Sequence, residues 1–217
     1  VKGDRNVNPF AGRVLVGQDE IFELRRSFYG GLPDGRQWDP VPIAVWTAVY
    51  RRDFLTEHGI RFRAIRSEDK FFNTDVCRAA HCVTAIGETR YNYRCDGQSS
   101  ITRSFSTTMA SSYVELFEAL KAMAKEEPEQ FRDECKLRAK RCIVDYSRVA
   151  SRVIASSSSS YSDKRAAIYQ LVEAPVVRNA LYKFPCRKLP VQQAFFSWLM
   201  RWHMIDVMLA FAGIKGR

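Results

Sequence analysis

The chain lacks the short motifs that most often mark a nucleotide, metal or nucleophile site. It has no glycine-rich phosphate loop, no H-E-x-x-H, no G-x-S-x-G and no two aspartates at D-x-D spacing. Its three histidines, His58, His81 and His203, are scattered, and a lone histidine on an apolar face is usually structural. These residues alone therefore predict no complete nucleotide site and no catalytic metal site.

Acidic residues are scarce relative to basic ones. The 217 residues include 34 Lys and Arg against 24 Asp and Glu, a net charge of +10. This balance favours anionic partners such as nucleic acid, acidic lipid headgroups or phosphorylated substrates, although a basic domain with no anionic partner has the same composition. The charge is spread along the chain and no nucleic-acid-binding module is recognisable, so we do not expect nucleic acid as a partner.

Cysteine pairs of the C-x-x-C type are also absent. With six cysteines and no secretory signal, we expect reduced and mostly buried thiols in a cytosolic compartment. The spacing of Cys77, His81, Cys82 and Cys95 matches no standard set of zinc ligands. Core packing is the favoured role of these side chains.

The sequence begins at Val1, without an initiator methionine or a signal peptide. We therefore expect it to be a piece of a longer protein. Its 46% hydrophobic and 12% aromatic residues are typical of a globular chain.

Residues 1–105 mix strand and helix signals. "RVLVGQ" alternates like a short strand, and "QDEIFELRRSFY" has apolar residues on one helical face. The stretch "GGLPDGRQWDPVP" predicts a loop. "IAVWTAVYRRDFLTEHG" predicts a helix that turns Val45 and Val49 inward and ends at Gly59. "CVTAIGETRYNYR" predicts extended chain divided at Gly87.

From about Ser104 onward the patterns are helical. Four apolar residues form one stripe at helical spacing: Tyr113, Leu116, Leu120 and Met123. A second helix is predicted from Glu129 to the serine tract at 156–160, which is expected to be a linker or loop. The predicted fold class is α+β, with a small mixed α/β segment (1–105) followed by a mainly α-helical C-terminal region (106–217).

The last predicted helix carries apolar residues at alternating spacings of four and three: Val191, Phe195, Trp198, Trp202, Ile205, Leu209 and Ala212. Arg201, His203 and Asp206 lie in its middle. A charge at a bilayer centre costs about 2.5–3.5 kcal/mol, so a transmembrane helix is not expected. The pattern leaves two alternatives, an interfacial helix on an anionic membrane (residues 185–217) or a central helix of a bundle.

An adjacent acidic pair follows Ser67 at a predicted helix start. One explanation is capping, in which the Ser67 side chain caps the helix and the dipole stabilises Glu68 and Asp69 by about 0.3–1 kcal/mol. A helix dipole also lowers a carboxylate's pKa, which weakens it as a base. The other explanation is a catalytic pair.

Residues 41–106 resemble the second half of a bacterial family 2 glycosyltransferase of the GT-A fold, of the capsular or exopolysaccharide type. The features that carry the resemblance follow in order: a helix with Trp46 that ends in "YRRDFL", an extended "GIRF", the helix start "SEDKFFN", then "YNYR" and "SSITR". An isolated Glu-Asp pair has no such specificity, but the ordered series does.

The resemblance implies roles for individual residues. Asp69 would be the general base that takes a proton from an acceptor hydroxyl, and Glu68 would orient that hydroxyl. Arg66 would keep the carboxylates ionised, and Trp46 would give a sugar ring an apolar platform. Four further residues would meet phosphate or acceptor from a closing loop: Arg94, Ser99, Thr102 and Arg103.

Two departures from the family pattern matter. Thr47 and Ala48 stand where the family often has an Asn-Lys pair, which puts donor or acceptor preference in doubt. The nucleotide-binding half, with the D-x-D site for Mg²⁺ or Mn²⁺, is missing. The resemblance therefore implies that this chain holds no cofactor and is inactive alone, as the acceptor-side portion of a longer enzyme.

The leading hypothesis is a portion of an inverting glycosyltransferase that moves a sugar from a nucleotide sugar to a polysaccharide or lipid-linked acceptor. We expect a cytoplasmic protein, peripheral on the inner face of the plasma membrane, that self-associates through an exposed sheet edge. The alternative is a non-catalytic helical interaction or membrane-docking domain.

Overall fold

The computed structural model describes residues 8–33, 43–88 and 106–214. The fold class is α+β and mostly helical, which confirms the prediction. The elements follow in this order: β1 (Val14–Val16), α1 (Gly17–Arg25), α2 (Arg52–Glu57), α3 (Glu68–Ala79), β2 (Cys82–Thr84), α4 (Met109–Lys125), α5 (Glu129–Ala155), α6 (Tyr161–Glu173), α7 (Pro175–Leu181), α8 (Val191–Arg201) and α9 (Ile205–Ile214). Short 3₁₀ turns lie at Arg26–Tyr29, Val45–Thr47 and Cys186–Lys188.

The two strands form a small antiparallel sheet, with Leu15 paired to Val83. Leu15 is fully buried while Val14 and Val16 are exposed, which is the alternation expected of a strand with one covered face. The strand predicted in "RVLVGQ" is confirmed.

The main core lies among the C-terminal helices, where α5 contacts α4, α6, α7, α8 and α9. The four residues of the predicted stripe on α4 are all buried in this core. The serine tract also follows the prediction, since α5 ends at Ala155 and the chain turns before α6. Ser160 caps α6, because its Oγ accepts the backbone N–H of Asp163 at 3.1 Å.

The N-terminal segment shares this core. Phe22, Tyr29 and Phe71 are buried in the same cluster as the helical residues, and Phe22 stacks on Phe131 with ring centroids 3.9 Å apart. The division into domains at residue 105 stays a prediction.

A buried charged cluster, which we call the Glu127 cluster, ties the two parts together. Glu127 lies between α4 and α5 and is fully buried. Its Oε2 accepts from Arg25 Nη2 at 3.0 Å, and its Oε1 accepts from Tyr29 Oη at 2.6 Å and Arg78 Nε at 3.0 Å. Three donors on separate elements thus converge on one carboxylate, which neutralises its buried charge.

The prediction of one continuous helix over residues 43–59 is wrong. The chain forms the 3₁₀ turn Val45–Thr47, runs extended at Ala48, and begins α2 only at Arg52. Val49, expected to point inward, is fully exposed. The β-branched residues in "VWTAV" restrict χ1 in a helix, so this stretch gains little from helical backbone.

The prediction of one continuous last helix is also wrong. The chain turns between α8 and α9, where His203 has a left-handed backbone with φ of 55°. The turn lets α9 pack on α5 and α6 with Ile205 and Leu209 buried. Within the described ranges no helix has the length and apolar character needed to cross a bilayer.

Candidate functional site

Asp69 lies in the first turn of α3, at the start that the acidic pair predicts. The predicted serine cap is wrong, because Ser67 has a left-handed backbone with φ of 56° and its side chain makes no capping hydrogen bond. Asp69 is tied to a different part of the chain, since its Oδ2 accepts the backbone N–H of Val45 at 3.3 Å. The carboxylate therefore connects the start of α3 to the turn that carries Trp46.

A cleft of about 670 Å³ opens beside this carboxylate. Its polar and aromatic lining, besides Asp69, comes from the chain before α3, from α3 itself and from α4: Phe62, Arg63, Arg66, Glu68, Ser112 and Glu115. The volume falls within the range of about 300–1,000 Å³ that is usual for small-molecule sites.

Partial burial raises the pKa of Asp69 above its ordinary value. The hydrogen bond from Val45 acts in the opposite direction, and the neighbouring negative charge of Glu68 adds to the rise. The net direction is opposite to the lowering expected from the helix dipole. A carboxylate with a raised pKa accepts a proton more readily, which suits a general base.

The arginines at the cleft are anchored to other groups. Arg66 donates from Nε to Ser112 Oγ at 3.2 Å, and its guanidinium lies 4.5 Å from the ring centroid of Tyr113. Among the described residues it forms no ion pair with Glu68 or Asp69, and its role in keeping those carboxylates ionised stays a prediction. Arg63 pairs with Asp75 at 2.8 Å.

Two aromatic side chains expose their rings near Asp69. Phe62 lines the cleft with 55% of its surface exposed, and it stacks on Phe72 with centroids 4.2 Å apart. Trp46 is 41% exposed and directly follows Val45, whose N–H binds Asp69. Exposed ring faces of this kind can cover the apolar face of a sugar.

A second contact from α3 holds the segment with Trp46 in place. Asn73 lies one helical turn beyond Asp69 and donates to the carbonyl of Ile43, while its Oδ1 accepts from Tyr50 Oη at 2.6 Å. On the core side, the buried Lys70 donates from Nζ to the carbonyl of Phe28 at 2.9 Å. The start of α3 is therefore fixed from two sides.

The predicted site residues fall into three groups. Glu68, Asp69 and Arg66 line the cleft, and Trp46 lies next to its edge. The four residues of the predicted closing loop lie outside the described residues: Arg94, Ser99, Thr102 and Arg103.

Sequence reasoning missed Phe62, Arg63, Ser112 and Glu115. Phe62 belongs to the quoted "GIRF" piece, so its motif was visible although its role was not. Ser112 and Glu115 gave no signal, because α4 is recognised by its apolar stripe alone and these two residues lie off that stripe.

The resemblance assigns the divalent cation to the nucleotide-binding half of the complete enzyme and not to this cleft. Glu68, Asp69 and Glu115 line the same cleft, yet across the described part of the chain no three His, Cys, Asp or Glu side chains form a metal-binding group.

Comparison of the chain with protein-family models, with curated proteins and with solved structures found no match.

Proposed function

We propose that the cleft binds an acceptor saccharide and that Asp69 is the general base of an inverting glycosyl transfer. The observation that carries the proposal is the position of Asp69, whose carboxylate has a raised pKa and lines an open cleft of small-molecule size. A carboxylate used only for capping would have its oxygens turned to the backbone amides of its own helix. Asp69 bonds a distant backbone amide and still lines the cleft.

The lining suits a polar ligand with apolar faces. A sugar ring presents C–H groups that pack on an aromatic side chain such as Phe62, and hydroxyls that bond to carboxylates and hydroxyls. Glu68, Ser112 and Glu115 supply such polar groups around the cleft. Neutral saccharides fit this mixture of both charges better than a strongly anionic ligand does.

In the proposed reaction, the acceptor hydroxyl passes its proton to the Asp69 carboxylate as its oxygen attacks the anomeric carbon of the donor. The bond to the departing nucleoside diphosphate breaks on the opposite side, which inverts the centre through an oxocarbenium-like state. A well-placed base contributes about 10²–10⁴ in rate. Glu68 orients the hydroxyl.

The donor-binding half, with its Mg²⁺ or Mn²⁺, belongs in this proposal to residues outside the 217 of this chain. The acceptor is a polysaccharide or lipid-linked saccharide. The complete enzyme would be cytoplasmic and peripheral on the inner face of the plasma membrane.

Saccharide binding to this chain tests the first half of the proposal. Ligand-observed NMR with a panel of neutral mono- and disaccharides should detect binding that Phe62→Ser weakens, because the ring platform is lost. Ile86→Ser is the matched control, since Ile86 is 58% exposed and does not line the cleft. Equal binding by both variants, or no binding by the parent chain, would contradict an acceptor role for the cleft.

Transfer by the complete protein tests the second half. With a panel of nucleotide sugars, Asp69→Asn should lower kcat by about 10²–10⁴ and change acceptor KM little, because the amide keeps the shape but cannot take a proton. Glu57→Gln removes an exposed carboxylate of α2 and should leave kcat unchanged. Undiminished transfer by Asp69→Asn would rule out the assigned base.

A further inference from the structure

Large apolar side chains remain exposed together at the C-terminal end of the fold. They form what we call the aromatic face: Val191, Phe195, Trp198 and Trp202 at successive turns of α8 and its end, and Phe211 of α9. Each is between 39% and 85% exposed. Phe195 contacts two of them, with its ring centroid 6.5 Å from that of Trp198 and 5.1 Å from that of Phe211.

The aromatic face is not needed to attach α8 to the protein. The opposite side of the helix buries Phe196, Leu199 and Met200, and α8 contacts α5 and α7. Scattered exposed apolar residues are ordinary, but a contiguous cluster that includes two tryptophans marks an interaction surface.

The surrounding charge is strongly positive. Residues 174–217 contain seven lysines and arginines and a single acidic residue, Asp206, so this stretch holds six of the ten net positive charges of the chain. Asp206 is itself paired with Arg165 at 3.0 Å. Arg187 and Lys188 are exposed in the 3₁₀ turn directly before α8.

We propose that the aromatic face is a docking surface for an anionic lipid membrane. The rings of Trp198 and Trp202 enter the boundary between headgroups and acyl chains, and Arg187 and Lys188 meet the lipid phosphates. Tryptophan with basic neighbours and almost no acid is the composition of helices that lie in this boundary. Charge complementarity therefore favours an acidic bilayer over a protein surface. This surface would give the complete enzyme the peripheral membrane location of the proposed function, but membrane docking does not depend on the chemistry at the cleft.

Vesicle binding tests this proposal. The chain should partition onto vesicles of phosphatidylcholine with about 30% phosphatidylglycerol at least tenfold more strongly than onto phosphatidylcholine alone. Trp198→Ser/Trp202→Ser should weaken this binding at least tenfold, and Arg187→Gln/Lys188→Gln by about tenfold. Raising the salt concentration should weaken binding of the parent chain.

Matched controls separate the aromatic face from exposed surface in general. Tyr169→Ser removes an exposed ring of α6, and Arg52→Gln/Lys125→Gln removes two exposed charges on other helices. Both should bind vesicles like the parent chain. Circular dichroism of each variant checks that the helices are retained.

Three outcomes would overturn the proposal. The first is equal binding to vesicles with and without the anionic lipid, and the second is unchanged binding by Trp198→Ser/Trp202→Ser. The third is a parent chain that does not bind vesicles but forms a dimer, when the same double variant is a monomer. The last outcome, measured by light scattering, would assign the aromatic face to a second copy of this chain.

Discussion

A carboxylate lies near each end of α3, and the two differ in burial and in the number of hydrogen-bond donors around them. At its C-terminal end, Arg78 joins Arg25 and Tyr29 around Glu127, which is fully buried and receives a donor from each. At its N-terminal end, Asp69 is only partly buried, accepts the backbone N–H of Val45, and lines an open cleft.

In our proposal, this difference separates a structural carboxylate, Glu127, from a reactive one, Asp69. Three charged or polar donors leave Glu127 little capacity to bind anything else, and they fasten the N-terminal segment to the helices. Asp69 keeps acceptor capacity on its cleft side, and its raised pKa favours taking a proton. Removing the first carboxylate should damage the fold, and removing the second should damage function.

The largest effect is expected from Glu127→Ala. This change leaves the fully buried Arg25 without its counter-ion, takes one of two carboxylate partners from the half-buried Arg78, and should lower the free energy of unfolding by about 3–5 kcal/mol. Urea denaturation followed by circular dichroism measures it. Glu126→Ala is the control, because the Glu126 side chain is largely exposed and its 3.4 Å pair with Arg78 should contribute less than about 1 kcal/mol. Similar losses in both variants would show that the Glu127 cluster is not a structural centre.

A smaller effect is expected from Tyr29→Phe. The variant keeps the ring but deletes the 2.6 Å hydrogen bond to Glu127, and hydrogen bonds to charged groups contribute about 1.5–3 kcal/mol. The same denaturation experiment applies. Tyr169→Phe, at an exposed position on α6, should leave stability within about 0.5 kcal/mol. A loss for Tyr29→Phe as small as that of the control would mean that the two arginines alone satisfy Glu127.

The smallest effect on stability is expected from Asp69→Asn, below about 1 kcal/mol. Whether this substitution raises or lowers the free energy of unfolding should depend on pH. Since the folded-state pKa of Asp69 lies above the unfolded value of 3.8, ionising Asp69 costs the folded state stability as pH rises through this range. The variant lacks that cost, so its stability relative to the parent chain should increase as the pH rises from below 3.8 towards neutral. A relative stability that falls over this interval would mean that the carboxylate is stabilised by its surroundings.

Local patterns in the sequence predicted much of the helical region. The stripe on α4 and the ends of α5 follow from side chains within one helix, where periodicity and capping residues are read directly. The start of α3 was also predicted, although the serine cap expected there is not formed. The break between α8 and α9 was not, because the apolar spacing continues through the left-handed residue His203.

Features that depend on distant residues could not be predicted. Glu127 meets Arg25 and Tyr29 across about a hundred residues of sequence, and nothing local marks any of them as partners. Glu115 likewise lines the cleft together with residues distant in sequence, and nothing local marks it as one of them. The helical spacing of Trp198 and Trp202 predicted an apolar face but not whether other residues cover it, and only the packing reveals that it is exposed.

The most direct test of the account is the titration of Asp69 itself. Carboxyl-detected NMR of the parent chain, with Asp69→Asn used to assign the resonance, gives its pKa with and without a saccharide that binds. We expect a pKa above 3.8 and a carboxyl resonance that moves when the saccharide is added. A pKa at or below 3.8 together with a resonance that no saccharide moves would contradict it.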